Sequence, residues 1–253
     1  MEAYTGFAQV YDLFMDNVPY GQWSEYVISL LKEYGVEDGL VLELGCGTGK
    51  MARRLAAAGY DMIGIDNSEE MLQVAKEAES FGAGGQPDIL YLLQDMREFE
   101  LYGTVRAVVS VCDSINYILE EEELGKVFGL VNNYLDPGGI FIFDLNTQYK
   151  YREVLGEAVF CENREEGSFI WENFYDEERQ LNQYDLTLFI QEEGKRYRKY
   201  EETHLQRGYG ELQVKALLEQ AGMEFVAMFD AFTREPVKET SERIYMIARE
   251  KGK

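Results

Sequence analysis

The chain has 253 residues, 46% of them hydrophobic, which is enough for one substantial α/β domain with a packed core. Its 47 acidic residues against 24 basic ones give a formal net charge of −23, which repels nucleic-acid phosphates at long range, so no nucleic-acid partner is expected. Three widely spaced cysteines without a CxxC pair, no run of roughly 18 apolar residues and no basic, apolar leader argue against a disulfide framework, a metal site, a membrane span and secretion, and a cytoplasmic location is expected.

From Tyr4 to Tyr34 aromatic and aliphatic residues recur at helical spacing, with a break at Val18-Pro19-Tyr20-Gly21. This predicts two amphipathic helices forming a cap over residues 1–35. Short apolar runs then appear at 40–44, 61–65, 89–93, 107–111 and 139–143, the last after an Asp136-Pro137-Gly138 turn. Helical patterns at 50–58, 69–79 and 121–134 lie between them. Strand and helix in this rhythm predict right-handed crossovers and a doubly wound, mostly parallel sheet.

Between 154 and 207 the rhythm changes. Phe169 and Trp171, then Leu186 and Leu188, alternate in β fashion around turns at 176–178 and 192–194. Two or three antiparallel strands, inserted as a lid over 149–207, are expected there. The lid's apolar face needs a cover, either the aromatic N-terminal segment or the same face of a second subunit in a homodimer. A helix at 211–221 and strands at 225–232 and 244–248 complete a seven-stranded sheet, so the core is expected to comprise 1–148 and 208–253.

The strongest local signal is Glu43-Leu44-Gly45-Cys46-Gly47-Thr48-Gly49, directly after the first strand and before a helix. Glycines there permit positive φ and let a ligand touch bare backbone. The dinucleotide fingerprint G-x-G-x-x-G fails at Lys50, whereas acid-x-Gly-x-Gly-x-Gly is satisfied in full. Asp66 ends the second strand, where a carboxylate can accept hydrogen bonds from both hydroxyls of a ribose. Asn67 or Ser68 can cap the following helix, which leaves Asp66 for that task. Asp95-Met96 ends the third strand, and Cys112-Asp113-Ser114-Ile115-Asn116-Tyr117 ends the fourth, at the side of the sheet where ligands of open α/β folds bind.

These motifs resemble the class I methyltransferase family, whose first motif has the acid-x-Gly-x-Gly-x-Gly form. The resemblance spans the chain and is most specific for a set of small bacterial methyltransferases with a β insertion. They share a Phe-Ala-x-Val-Tyr-Asp opening, here Phe7 to Asp12, and a His-x-Gln-Arg-x-Tyr segment, here His204 to Tyr209. The overall plan is also similar to glycine and sugar-amine N-methyltransferases. The resemblance implies a Rossmann-like fold and S-adenosyl-L-methionine as cofactor. It implies that Asp95 contacts the adenine amino group with Met96 against the ring, and that Asn67, Met71, Cys112, Asp113 and Ser114 complete the pocket begun by Glu43, Gly45, Cys46, Gly47, Thr48 and Gly49.

An aromatic rim of Tyr4, Tyr11, Tyr20 and Trp23 is expected over the cofactor, although the same residues can equally fasten the N-terminal helices to the core. Tyr11, Tyr117 and His204, the only histidine, are the catalytic candidates, with a buried hydrogen-bonding role as the alternative for His204. No Asn-Pro-Pro-Tyr or Pro-Cys sequence is present, which argues against planar base nitrogens and covalent attack on a pyrimidine. The reading is methyl transfer by in-line displacement to a small-molecule acceptor, an amine foremost because an acidic protein attracts cations. A cofactor-binding regulator without turnover and a nucleotide-dependent oxidoreductase are the alternatives.

Overall fold

Apolar side chains of the parallel strands split by parity into two layers, and that split organises the molecule. The computed structural model describes Phe14 and residues 19–80, 88–192, 194 and 196–253. In chain order come α1 (Tyr20–Glu33), β1 (Gly39–Leu44), α2 (Lys50–Ala57), β2 (Tyr60–Asp66), α3 (Glu69–Ser80), β3 (Leu90–Leu93), β4 (Val105–Ser110), α4 (Glu121–Tyr134) and β5 (Leu135–Asn146). A second group of strands follows: β6 (Val159–Asn163), β7 (Gly167–Asp176), β8 (Leu181–Gln191) and β9 (Tyr197–Arg207). The chain closes with α5 (Glu211–Gln220), β10 (Met223–Asp230) and β11 (Arg243–Glu250).

The main sheet has seven strands in the order β3-β2-β1-β4-β5-β11-β10. Its first five strands are parallel, and β11 runs antiparallel to both β5 and β10. Val41, Ala107, Val109, Ile140, Ile142 and Ile247 face α1, α2 and α3 in one layer. Leu42, Leu44, Val108, Phe141, Phe143 and Met246 face α4 and α5 in the other. Period-two alternation of a continuously apolar run is what a strand buried on both faces requires. The strand order reverses between β1 and β4, which opens a crevice at their carboxyl ends.

The insertion folds as a separate antiparallel sheet of four strands, β6-β7-β8-β9, where two or three were expected. A π-helical turn (Lys150–Leu155), with Tyr151 and Leu155 buried, leads into it from β5. Its inner face carries Phe169, Trp171, Tyr184, Leu186, Leu188 and Ile190, and Phe14 is buried against it, edge-on to Phe169 at 5.1 Å. Phe14 therefore covers part of the face for which the sequence called for a cover. Tyr4 and Tyr11 lie outside the described residues.

Four hydrogen bonds tie the two sheets together beside the crevice. Asn116 donates from Nδ2 to the Arg207 carbonyl at 2.8 Å and accepts the Asn146 amide at Oδ1 at 3.0 Å. Gln148 donates to the Gly208 carbonyl at 2.9 Å, and Tyr151 donates to Gln206 Oε1 at 3.1 Å. Among the described residues no helix is long and apolar enough to cross a membrane.

Candidate active site

The loop after β1 is shaped by its glycines and held by the end of β2. The amides of Gly45 and Cys46 donate to the Ile65 carbonyl at 2.8 and 2.9 Å. Gly45 has φ +71°, and a Cβ there would stand 2.6 Å from Ser114 Oγ, so only glycine lets this loop close against the turn after β4. Gly47, at φ +52°, has open space in front of it and places bare backbone on the wall of the crevice. Asp66 clasps the same loop: Oδ2 accepts the Gly47 amide at 2.7 Å and Oδ1 accepts the Ser68 amide at 2.9 Å. Ser68 Oγ in turn accepts the Met71 amide at 3.2 Å and caps α3. Burial pushes the Asp66 carboxyl upward, against the pull of those amide donors.

Glu43 sits beneath the loop, 2% exposed. Burial, reinforced by the Asp66 carboxylate, pushes its carboxyl up to about 8. Its Oε2 atom is buried without a hydrogen-bond partner among the described residues. A buried, unsatisfied carboxylate oxygen on a crevice wall is matched by a cationic or N–H-bearing ligand.

Past β3, Asp95 is gripped by Arg97, which donates from Nε and Nη2 at 2.6–3.1 Å and from its amide at 2.8 Å. The guanidinium beside it holds the Asp95 carboxyl below the usual range. Each carboxylate oxygen thus already accepts two donors, so a ligand amino group would share Asp95 with Arg97.

The turn after β4 is unusual in its backbone. Cys112 and Asp113 both take positive φ, 60° and 54°. Asp144, fully buried on β5, accepts their two amides at 3.2 and 2.8 Å. Arg243 on β11 bridges Asp144 and Asp113, bonding the latter at 2.7 Å, with its guanidinium 5.0 Å from the Trp23 ring centroid. Gln206 of β9 donates to the other Asp113 oxygen at 2.6 Å. Burial pushes the Cys112 thiol up, with Asp144 adding to it, so this cysteine is a poor thiolate.

Tyr117, one turn further on, meets the inserted sheet. Its hydroxyl lies 2.6 Å from that of Tyr184 and 3.1 Å from His204 Nδ1. His204 Nε2 lies 3.1 Å from Glu202 Oε2, with both side chains essentially unexposed. The His204 ring stacks on Tyr184 at 4.5 Å and 9°.

These elements surround a cleft of about 620 Å³, within the roughly 300–1,000 Å³ of small-molecule sites. Of the residues singled out from sequence, Glu43, Gly45, Cys46, Gly47 and Thr48 line it, as do Asp66, Asn67 and Met71 from the second strand and its helix. Asp95, Met96, Cys112, Ser114 and Tyr117 line it from the third and fourth strands. Gly49, Trp23, Asp113 and His204 stand off the wall. Gly49 serves as the start of α2, where a side chain would run into the Tyr91 hydroxyl, and Asp113 turns to Arg243 and Gln206. Trp23 lies under Arg243 and stacks on Phe232 at 5.2 Å, so it fastens α1 to the sheet.

Sequence reading missed Lys50 as a wall residue and the buried Asp144–Arg243 pair. Lys50 was read only as the residue that breaks a fingerprint. Tyr184 and Glu202 were also missed. Glu202 was visible in principle, two residues before His204 and thus on the same strand face.

Comparison with known proteins agrees with this geometry. Residues 41–139 match the family model described as "Methyltransferase domain". A relative named "Putative methyltransferase" from Geobacillus sp. (strain WCH70) is 35% identical over 97% of this chain and 99% of its own length. The crystal structure of an S-adenosylmethionine-dependent methyltransferase from Clostridium acetobutylicum ATCC 824 superposes with a TM-score of 0.86 at 30% identity, covering 99% of this chain and 100% of that one. Over 54% of this chain and 56% of its own, a dTDP-3-amino-3,4,6-trideoxy-alpha-D-glucopyranose N,N-dimethyltransferase from Streptomyces venezuelae is 30% identical. The chain belongs to the class I S-adenosylmethionine-dependent methyltransferase family. It is an enzyme of that class, with S-adenosyl-L-methionine as its cofactor.

Proposed function

We propose that the chain methylates a small-molecule amine held between the cleft and the inserted sheet. The observation that carries this reading is that Tyr117 lines the cleft and at the same time bonds Tyr184 and His204 of the insertion. An acceptor beside Tyr117 thus has the cofactor cleft on one side and the insertion on the other. The N,N-dimethyltransferase relative acts, by its name, on an amino sugar nucleotide, which supports an amine acceptor. The formal charge of −23 favours approach of a cation.

In this reading residues 1–148 and 208–253 hold the cofactor and 149–207 select the acceptor. The unsatisfied Glu43 oxygen and the open face of Gly47 suit the amino-acid end of the cofactor. Asp66 has lone pairs left for ribose hydroxyls beyond its two amide bonds, and Asp95 and Met96 suit the adenine. Asn67, Met71, Cys112 and Ser114 fill the wall between them. When bound, the cofactor supplies a methyl group already electrophilic on its sulfonium. The chain's own task is then to orient the acceptor nitrogen, exclude water and keep that nitrogen unprotonated.

The test is incubation with methyl-labelled cofactor and two acceptor sources, a 3-amino sugar nucleotide and a fractionated cell extract. Label on an amine nitrogen is the expected result. Label only on an oxygen or carbon, or tight cofactor binding with no transfer to any fraction, would overturn the amine reading.

A further inference from the structure

His204 is placed as a relay between the cleft and a buried acid. On β9 the inward positions are Tyr200, Glu202, His204 and Gln206, so a row of polar side chains is buried where an inner face is usually apolar. Burial of such groups is tolerated when every one is hydrogen-bonded, and here the bonds run in one direction, from Tyr117 through His204 to Glu202. An acid two residues away on the same strand face lies 3.1 Å from Nε2 and, when ionised, can only accept, which assigns the ring proton to Nε2 and leaves Nδ1, 3.1 Å from the Tyr117 hydroxyl, as an acceptor. Tyr184 restrains both ends, stacking on the imidazole and bonding the Tyr117 oxygen at 2.6 Å. Tyr117 is fixed from its other side, because the turn that carries it is anchored by Asp144 and Arg243.

We propose that Tyr117, His204 and Glu202 form a buried proton relay that takes a proton from the acceptor ammonium in the cleft. This rests on the amine reading above. The ammonium N–H proton passes to the Tyr117 oxygen as the Tyr117 hydroxyl proton passes to His204 Nδ1, leaving a neutral amine with its lone pair and an imidazolium. Glu202 remains ionised and stabilises that imidazolium through the Nε2–H bond. The methylated product leaves as an ammonium with its own N–H proton, and the proton held by the relay passes back through Tyr117 to water once the cleft opens. Tyr117 is the catalytic residue; His204 and Glu202 act through it, and Glu202 is the positioning residue that fixes the tautomer.

Because His204 is the only histidine, labelling histidine with the heavy nitrogen isotope gives a single imidazole signal, and nuclear magnetic resonance reads its tautomer and titration without any acceptor. Among the described residues the titratable groups facing the ring are Tyr117, Tyr184 and Glu202. The expected result is a proton on Nε2 in the neutral ring, and a titration midpoint that falls by about one pH unit or more in Glu202→Gln. A proton on Nδ1, or a midpoint unmoved by Glu202→Gln, would overturn the relay. With a turning-over amine, Tyr117→Phe and Glu202→Gln should lower kcat on the order of 10- to 100-fold with the cofactor KM within about threefold, and the acid limb of the pH profile should move down in Glu202→Gln. Unchanged kcat in Tyr117→Phe also overturns the relay. If no amine is methylated, the acceptor reading fails on its own while the resonance experiment still decides the relay.

Discussion

The carboxylate of Asp66 accepts the Gly47 amide at 2.7 Å, so the end of β2 holds the shape of the loop that follows β1. The residue expected to bind ribose is also part of the apo structure. Helix capping by Ser68 does not free it, because Asp66 bonds the Ser68 amide as well. Both bonds run from neutral amides to a buried carboxylate, a type worth about 1.5–3 kcal/mol each.

Asp66→Ala is therefore expected to lower cofactor affinity by about 2–4 kcal/mol and, because removing the buried charge offsets part of the two lost bonds, apo stability by about 1–3 kcal/mol. Capping by Asn67 or Ser68 left Asp66 without a structural task in the sequence reading, and the clasp on Gly47 gives it one. Calorimetric titration with S-adenosylhomocysteine and urea unfolding of the apo protein measure the two effects separately. Intact affinity with a large loss of stability would make Asp66 purely structural.

Glu43 gives a pH dependence of unusual sign. Its folded-state carboxyl is raised from 4.5 to about 8, with burial the first cause and Asp66 the second. The folded state therefore binds a proton that the unfolded state has lost, and the associated stability is fully present below about pH 4.5 and is lost as pH rises through about 8. Apo stability of Glu43→Gln should be flatter across that window. A cationic group bound at Oε2 ionises Glu43, so cofactor binding at pH 7 should release on the order of one proton from wild type and none from Glu43→Gln. Titrations in two buffers of different ionisation enthalpy measure this directly. Equal proton release in both proteins would place the cation elsewhere.

Much of this frame is legible in sequence because it is written in local periodicity. Residues 121–134 read as a helix with the observed bounds, and the five short apolar runs read as strands, although Leu90 and Leu93 of the edge strand β3 are exposed. β6 and β9 escaped because their alternation is not one of hydrophobicity: β9 buries Glu202, His204 and Gln206, which a hydropathy pattern scores as exposed. β5 begins at Leu135, before the Asp136-Pro137-Gly138 turn signal that seemed to delay it. At the site, the glycine loop and the acids after β2 and β3 announce themselves by position. The Asp144–Arg243 pair does not, since its partners are 99 residues apart and no spacing rule links them.

That pair carries the third prediction. Arg243 is enclosed with Asp113 and Asp144, and it links the two carboxylates across the left-handed turn. Removing one partner of a buried ion pair leaves uncompensated charge and typically costs about 3–5 kcal/mol. Arg243→Met should fall in that range by urea unfolding. Arg243→Lys should recover only part of it, because an ammonium lacks the fork that spans two acids. A loss below about 1 kcal/mol for Arg243→Met would show that Asp144 is held adequately by the Cys112 and Asp113 amides.

The insertion provides the last prediction, and the structure narrows how it must be made. Tyr151 and Leu155 of the π-helical turn are buried in the body, and Asn116 bonds the Arg207 carbonyl, so excising the whole of 149–207 would damage the frame. A cut that replaces 158–205 with a flexible Gly-Ser linker of about ten residues keeps Tyr151, Gln206 and Arg207. It removes Tyr184, Glu202 and His204 together with the surface against which Phe14 is buried. None of the described residues removed lines the cofactor cleft. If the insertion covers the acceptor, the shortened protein should bind S-adenosylhomocysteine within about tenfold of wild type, roughly 1.4 kcal/mol, and transfer no methyl group. Sedimentation of both proteins separates this from a role in assembly. Continued activity on the same acceptor, or a change from dimer to monomer as the sole effect, would make the four-stranded sheet an oligomerisation surface and remove it from the reaction.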